Sequence, residues 1–154
     1  MKKVIVLLLI VAVGLIFLTR NKSDDDFFNS YFNQMVEAGE TKNHDQFMSF
    51  FSLQYQDEYG LNYIIINELV KNTFNEFGTL EGSFSDLSSK IEEIDGKSLA
   101  IVNMDVNAIG IKNGIDTGIL GLSNDPENIT IYLEKSTLGK WKIIKVEGLN
   151  RSDY

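Results

Sequence analysis

The residues best suited to chemistry are three polar side chains that alternate with apolar ones along one stretch of sequence. Asn103, Asp105 and Asn107 would share one face of a β-strand, because successive side chains of a strand point to opposite faces. A carboxylate in mid-strand can act as a general base where it is held in a dry site. Asp105 is therefore the catalytic candidate, and the three residues together are the candidate ligand- or partner-binding set. The alternation itself favours a solvated strand face.

Other candidates are weaker. His44 is the only histidine, and it lies in a polar stretch that is typical of a solvated helix start. With one histidine and no cysteine, a metal site would depend on carboxylates alone, and Asp24-Asp25-Asp26 suits the positive end of a helix dipole better than a calcium loop. We therefore expect no metal and no cofactor. Four tyrosines could donate a hydroxyl into a pocket: Tyr31, Tyr55, Tyr59 and Tyr63.

The first half of the chain predicts three helices. Apolar residues at helical spacing indicate a first helix between Ser23 and Gly39, and a second that starts near Asn43. A third helix is predicted from Asp57 to Phe77. Its expected core-facing residues are Leu61, Ile64, Ile65, Leu69, Val70, Phe74 and Phe77.

After Gly78 the apolar period becomes that of strands. Asp95-Gly96 and Asn113-Gly114 are typical two-residue hairpin turns. The third strand should break near Asn124-Asp125-Pro126, because proline cannot donate to a ladder. The predicted strands are Phe84–Ile94, which is irregular and bulged, Ser98–Ile111, Ile115–Leu133 and Lys140–Leu149. The fold class is therefore α+β: three N-terminal helices packed on a curved antiparallel sheet of about four strands.

This order of elements, with the ending Gly139-Lys140-Trp141-Lys142-Ile143, resembles the nuclear-transport-factor-2-like superfamily over about residues 24–149. The resemblance implies a pocket between sheet and helices. Enzymes of this superfamily place an Asp or His base and a Tyr or Asp donor in that pocket, and His44 does not match such a histidine. Other members are non-catalytic binding domains or membrane-tethered domains of bacterial envelope assemblies, so the shared fold does not transfer a function.

The N-terminal residues predict where the protein is located. Residues 4–18 form an unbroken apolar run flanked by Lys2, Lys3, Arg20 and Lys22. As a helix the run would cover about 22 Å, and snorkelling basic side chains could extend it towards the ~30 Å of a bilayer core. No small-x-small site follows Leu18, which favours an uncleaved anchor over a cleaved secretory signal. Residues 1–22 are thus the predicted anchor or signal and residues 23–154 the domain.

The flanking charges place the N-terminus inside and the domain on the extracytoplasmic side, or secreted if the signal is cleaved. Residues 21–154 carry 11 basic and 22 acidic side chains, a net charge of −11, which argues against nucleic acid as a partner.

The leading interpretation is a membrane-tethered, non-enzymatic binding or assembly domain, with an envelope protein or a second copy as its partner. The alternative is a small isomerase- or dehydratase-type enzyme, or a carrier, that acts on an apolar ligand. In the enzyme, Asp105 would be the base and a helix tyrosine the donor.

Overall fold

The structure, a computed structural model, describes residues 24–121 and 125–149, and these residues form three helices followed by five strands. The α+β class predicted from the sequence is confirmed. Within the described residues, no helix has the length and apolar character needed to cross a membrane. The predicted anchor at residues 4–18 lies outside the described residues.

The helices are α1 (residues 24–40), α2 (His44–Met48) and α3 (Tyr63–Glu76). Asn43 caps α2, because its side chain accepts a hydrogen bond from the Gln46 amide at 3.2 Å, as the sequence predicted. Helix α3 starts six residues later than predicted. The side chain of Asp57 holds the preceding residues in a loop, and Asn62 supplies the cap by accepting from the Ile65 amide at 3.1 Å.

The core-facing side of α3 also differs from the prediction. Ile64 is 72% exposed, and Ile65 and Leu69 are exposed as well. Tyr63 and Ile66 pack against the core instead. The spacing of apolar residues alone therefore does not predict which face of α3 packs against the core.

The five strands are β1 (Thr79–Ile94), β2 (Lys97–Lys112), β3 (Ile115–Leu120), β4 (Glu127–Lys135) and β5 (Trp141–Glu147). They form one antiparallel sheet in the order β1-β2-β4-β5, with β3 paired to the distal half of β2. The prediction of about four strands is corrected to five, because the predicted third strand is two strands. Gly121, with a φ of +59°, and Pro126 separate them.

Both predicted hairpin turns are present. Asp95-Gly96 and Asn113-Gly114 join paired strands, and all four residues have positive φ, as a type I′ turn requires. The predicted irregularity of β1 is a register shift between Ser85 and Ser88, where Asp86 has a φ of +52°. Strand β1 begins at Thr79, five residues before the predicted start.

The core lies between the helices and one face of the sheet. Alternate residues of β2, namely Ala100, Val102 and Met104, are buried there together with Ile129, Ile131, Leu133 and Ile143. Phe28 and Phe32 of α1 complete the core from the helical layer. We call this the inner face of the sheet and the opposite side the outer face.

Helix α1 runs antiparallel to β1 along its free edge. Near one end of the helix, Asp25 accepts a hydrogen bond from the Ser89 amide at 2.7 Å; at the other end, Glu40 accepts from the Gly82 amide at 3.2 Å. The fifteen helical steps between these carboxylates rise about 22 Å, and the seven strand steps between their partners about 23 Å. The helix and the strand therefore lie side by side, antiparallel, over a matching length of about 22 Å.

Candidate functional site

The three candidate site residues lie together on the outer face of β2. Val102 and Met104, their neighbours along the strand, are buried on the inner face. Asn103 is exposed, whereas Asp105 and Asn107 are half-buried. The structure therefore brings the three side chains to one face, and that face points away from the helices.

Hydrogen bonds between strands hold this row in place. Each bond is 2.7 Å long: Ser83 Oγ donates to Asn107, Asn128 Nδ2 donates to Asp105, and Thr130 Oγ1 donates to Asn103. The donors come from β1 on one side of β2 and from β4 on the other, in the register of the sheet. We call these six residues the outer polar patch.

A second group of polar side chains continues the patch towards β5. Tyr132 donates to Glu147 at 2.8 Å, and Lys145 forms an ion pair with the same carboxylate. The hydrogen bond from Lys145, reinforced by that from Tyr132, lowers the pKa of Glu147 below its usual value. The hydrogen bond to Glu147 raises the pKa of both Tyr132 and Lys145.

Three of the four tyrosines proposed as donors lie on the inner side of the sheet, and the fourth, Tyr59, is exposed, with its hydroxyl 3.4 Å from the carbonyl oxygen of Leu149. Tyr55 is buried in the core and Tyr63 packs against it. The Tyr31 hydroxyl donates to the carbonyl oxygens of Phe50 and Trp141, at 3.3 Å each, and burial raises the pKa of its phenol. The sheet separates Asp105 from the tyrosines on its inner side, so those three do not form an acid–base pair with it.

Aromatic side chains fill the space between the sheet and the helices. The Phe28 ring lies edge-on to Trp141 at 5.7 Å between centroids, and Tyr31 lies edge-on to Phe50 at 4.9 Å. Phe32 and Phe84 continue the packing, with centroids 6.2 Å apart. Such packing gives the inner side the character of a core and not of a polar catalytic pocket.

His44 stands at the start of α2. Its Nδ1 lies 3.4 Å from a carboxylate oxygen of Asp45, and its ring meets that of Phe74 edge-on at 6.4 Å. Among residues 24–121 and 125–149, no three potential metal-ligating side chains come together. The histidine therefore belongs to the packing between α2 and α3.

One buried carboxylate, Asp57, was not among the residues predicted from the sequence; it is only 6% exposed. Its Oδ1 accepts from the amides of Tyr59 and Leu61 at 2.9 Å each, and its Oδ2 lies 3.4 Å from the Tyr55 hydroxyl. An aspartate three residues before Gly60 is a turn signal that could have revealed it. The contacts show a carboxylate that holds a loop together.

A shallow groove lies beside one end of the outer polar patch. It has a volume of about 810 Å³ and opens widely to solvent. Its lining includes Ser83 and Asn107 of the patch and the carboxylates of Glu40 and Glu81. The patch is thus continuous with a concave, acidic border at the start of β1.

Replacing Asp105 with alanine tests whether its role is structural. We expect Asp105→Ala to change the free energy of unfolding by no more than about 0.5 kcal/mol, because the bond from Asn128 lies at the surface. Urea unfolding measures this change. Met104→Ala, which alters the buried face of the same strand, is the destabilised reference. A large loss of stability in the Asp105 variant would contradict the surface role.

The arrangement of three helices against the inner face of a curved antiparallel sheet is the nuclear-transport-factor-2-like fold. The resemblance drawn from the order of elements and the Gly139–Ile143 ending is confirmed at the level of fold. No protein-family model matches the sequence, and no curated protein sequence matches it.

Three solved structures illustrate the likeness. A single-residue mutant of the helical cell shape determining protein Pgp2 from Campylobacter jejuni has a TM-score of 0.61 and 12% identity, over 75% of this chain and 37% of the other. This chain thus spans well under half of that protein. A nuclear-transport-factor-2-like superfamily protein from Salmonella enterica has a TM-score of 0.56 and 13% identity, over 85% and 94%. A candidate scytalone dehydratase from Novosphingobium aromaticivorans has a TM-score of 0.57 and 12% identity, over 88% and 89%.

Proposed function

We propose that the protein is a membrane-tethered, extracytoplasmic, non-enzymatic binding domain that uses the outer polar patch to hold an envelope protein. The placement of Asp105 carries the proposal. It lies on the outer face, bonded to Asn128 and separated by the sheet from the buried tyrosines. This geometry suits recognition by hydrogen bonding better than proton transfer.

The patch has the properties of a preorganised binding surface. Strand β2 is paired on both sides over Asp105, so its side chains project from the most constrained part of the sheet. The 2.7 Å bonds to neighbouring strands fix the orientation of each amide and carboxylate. Little side-chain entropy is therefore lost when a partner docks. The net charge of −11 for residues 21–154 favours a partner with a basic face.

The predicted anchor would hold the outer polar patch at a membrane. An apolar run at residues 4–18 would confine the domain to the membrane plane, which raises its effective concentration towards other envelope proteins. The solved structures of similar fold include a cell shape determining protein, which is consistent with a domain that works at the envelope.

The enzyme and carrier alternatives receive less support from the geometry. Both need a ligand pocket between sheet and helices, where Phe28, Phe32 and Tyr55 are buried. The buried carboxylate of Asp57 is bonded to two backbone amides of its own loop. The likeness to a candidate dehydratase is one of fold.

Site-specific photo-crosslinking of the full chain in its native membrane tests the proposal. A photoreactive amino acid replaces Asn103 in the patch or, as the control, Lys71 on the exposed side of α3. We expect the Asn103 probe to capture one discrete envelope protein and the Lys71 probe to capture none. Adding Asp105→Ala to the Asn103 probe should reduce this capture.

Two other results are informative. Capture of a second copy of the chain from Asn103 would identify a homodimer as the complex that the patch forms. Equal capture from Asn103 and Lys71, or none from Asn103, would contradict binding through the patch. Recovery of the chain in the non-membrane fraction would contradict the tether.

A further inference from the structure

One end of the domain carries exposed apolar side chains on neighbouring turns. Strand β2 starts and β4 ends at this end, as the pairing of Leu99 with Glu134 shows, so the β1–β2 and β4–β5 turns lie side by side. Leu138, on the β4–β5 turn, is 85% exposed. Ile94, at the end of β1, is also exposed. We call these two residues the apolar tip.

The chain enters the domain at this same end. Asp25 of α1 bonds to Ser89, and the helix then runs back along β1 to Gly82, away from the turn. From Ser89 to Ile94, β1 extends by five residues, or about 17 Å, towards the end of the domain at which the chain enters. The hairpin turns therefore project beyond the start of α1.

The length of the connecting segment brings this end close to the membrane. Five residues, 19–23, separate the predicted membrane run from the start of α1. Six Cα–Cα steps span at most about 22 Å. Because the hairpins project about 17 Å of that distance, the turns lie within about 5 Å of the lipid surface when β1 stands upright.

We propose that the apolar tip is seated in the interface of the bilayer that holds residues 4–18, with the strands standing upright. The inference deepens the proposed function and rests on its tether. Moving leucine and isoleucine side chains from water to the boundary between headgroups and acyl chains lowers their free energy. Residues 21–154 carry a net charge of −11, so apolar contact and not attraction to anionic lipid supplies the binding.

Seating the tip would also orient the patch. With the strands upright, the outer face of the sheet looks sideways along the membrane plane. The outer polar patch would then meet a protein held in the same membrane, and not one that approaches from above. This orientation narrows the partner of the proposed function to a membrane-embedded or membrane-attached neighbour.

Fluorescent labels at the two ends of the domain test the seating. The chain has no cysteine, so Leu138→Cys can be labelled uniquely in the full-length protein. Ile115→Cys is the matched control, because Ile115 is 68% exposed and also apolar but lies at the opposite end of β2. Each labelled protein is reconstituted into phosphatidylcholine vesicles that contain brominated acyl chains. We expect blue-shifted emission and loss of most of the intensity at position 138, and neither at position 115.

The same experiment distinguishes contact of the apolar tip with the bilayer from membrane tethering by the predicted anchor. If the protein sediments with the vesicles but position 138 is quenched no more than position 115, the seating is wrong and the tether stands. If the protein does not sediment with vesicles, both are wrong. A Leu138→Asp substitution should weaken quenching of a label at position 94 without releasing the protein from the vesicles; unchanged quenching there would overturn the role of Leu138.

Discussion

Replacing Phe28 with alanine is expected to lower the free energy of unfolding by about 4 kcal/mol. Phe28 is fully buried on α1, where its ring contacts Trp141 and three neighbouring aromatic rings of the same helix. Removing the ring would leave a cavity at the junction of the helix and the sheet. Because aromatic rings on both sides of the cavity are themselves held by edge-to-face contacts, the site has little freedom to collapse.

The adjacent Phe27 provides a matched control. It is the same residue type on the same helix, but it is 49% exposed. Phe27→Ala should cost less than about 1 kcal/mol. Urea unfolding followed by circular dichroism compares the two variants. Equal losses would show that Phe28 does not anchor the helix as described.

Replacing Asp57 with alanine is expected to cost about 3 kcal/mol, because the change removes the acceptor of two backbone amides in a partly buried loop. The same loop sets the start of α3, since Asn62 caps the helix only five residues later. Loosening it should therefore also increase hydrogen exchange at the first turn of α3.

Asp57→Asn separates charge from geometry. Asparagine retains a carbonyl oxygen at the position of Oδ1, so it can still accept from Tyr59 and Leu61. We expect it to cost less than about 1 kcal/mol in the same unfolding measurement. If asparagine is as damaging as alanine, the negative charge and not the hydrogen-bonded turn is what the loop requires.

The sheet was the more predictable half of the fold because its signals are local. Asp95-Gly96 and Asn113-Gly114 specify type I′ turns by residue type alone, and they fix the register of the strands that they join. That register places Asn103, Asp105 and Asn107 on one face, as their alternation predicted. Their hydrogen-bonding partners on β1 and β4 could not be predicted, because the sequence of a single segment does not specify which strands are neighbours in the sheet.

The helical half of the fold was less predictable, because hydrogen bonds in its loops override the helical spacing of its apolar residues. The apolar run from Leu61 to Phe77 fits a longer helix, but the hydrogen bonds of Asp57 and the positive φ of Gly60 favour a turn instead. Ile64, Ile65 and Leu69 therefore face solvent. Tertiary contacts determine which face of a helix packs against the core, and the spacing of apolar residues in the sequence does not reveal those contacts.

The carboxylates of α1 that bond to β1 also bear on self-association. The unpaired edge of a long strand is a template on which another chain can add, and this is a common route to aggregation. Asp25 and Glu40 occupy amides of that edge at Ser89 and Gly82, with the helix lying between them. At the opposite side of the sheet, the amides of Ser52 and Gln56 bond to carbonyl oxygens of β5. Docking of α1 therefore covers the free edge of β1 as well as the core. A chain in which α1 has detached would expose that edge to pairing with another chain.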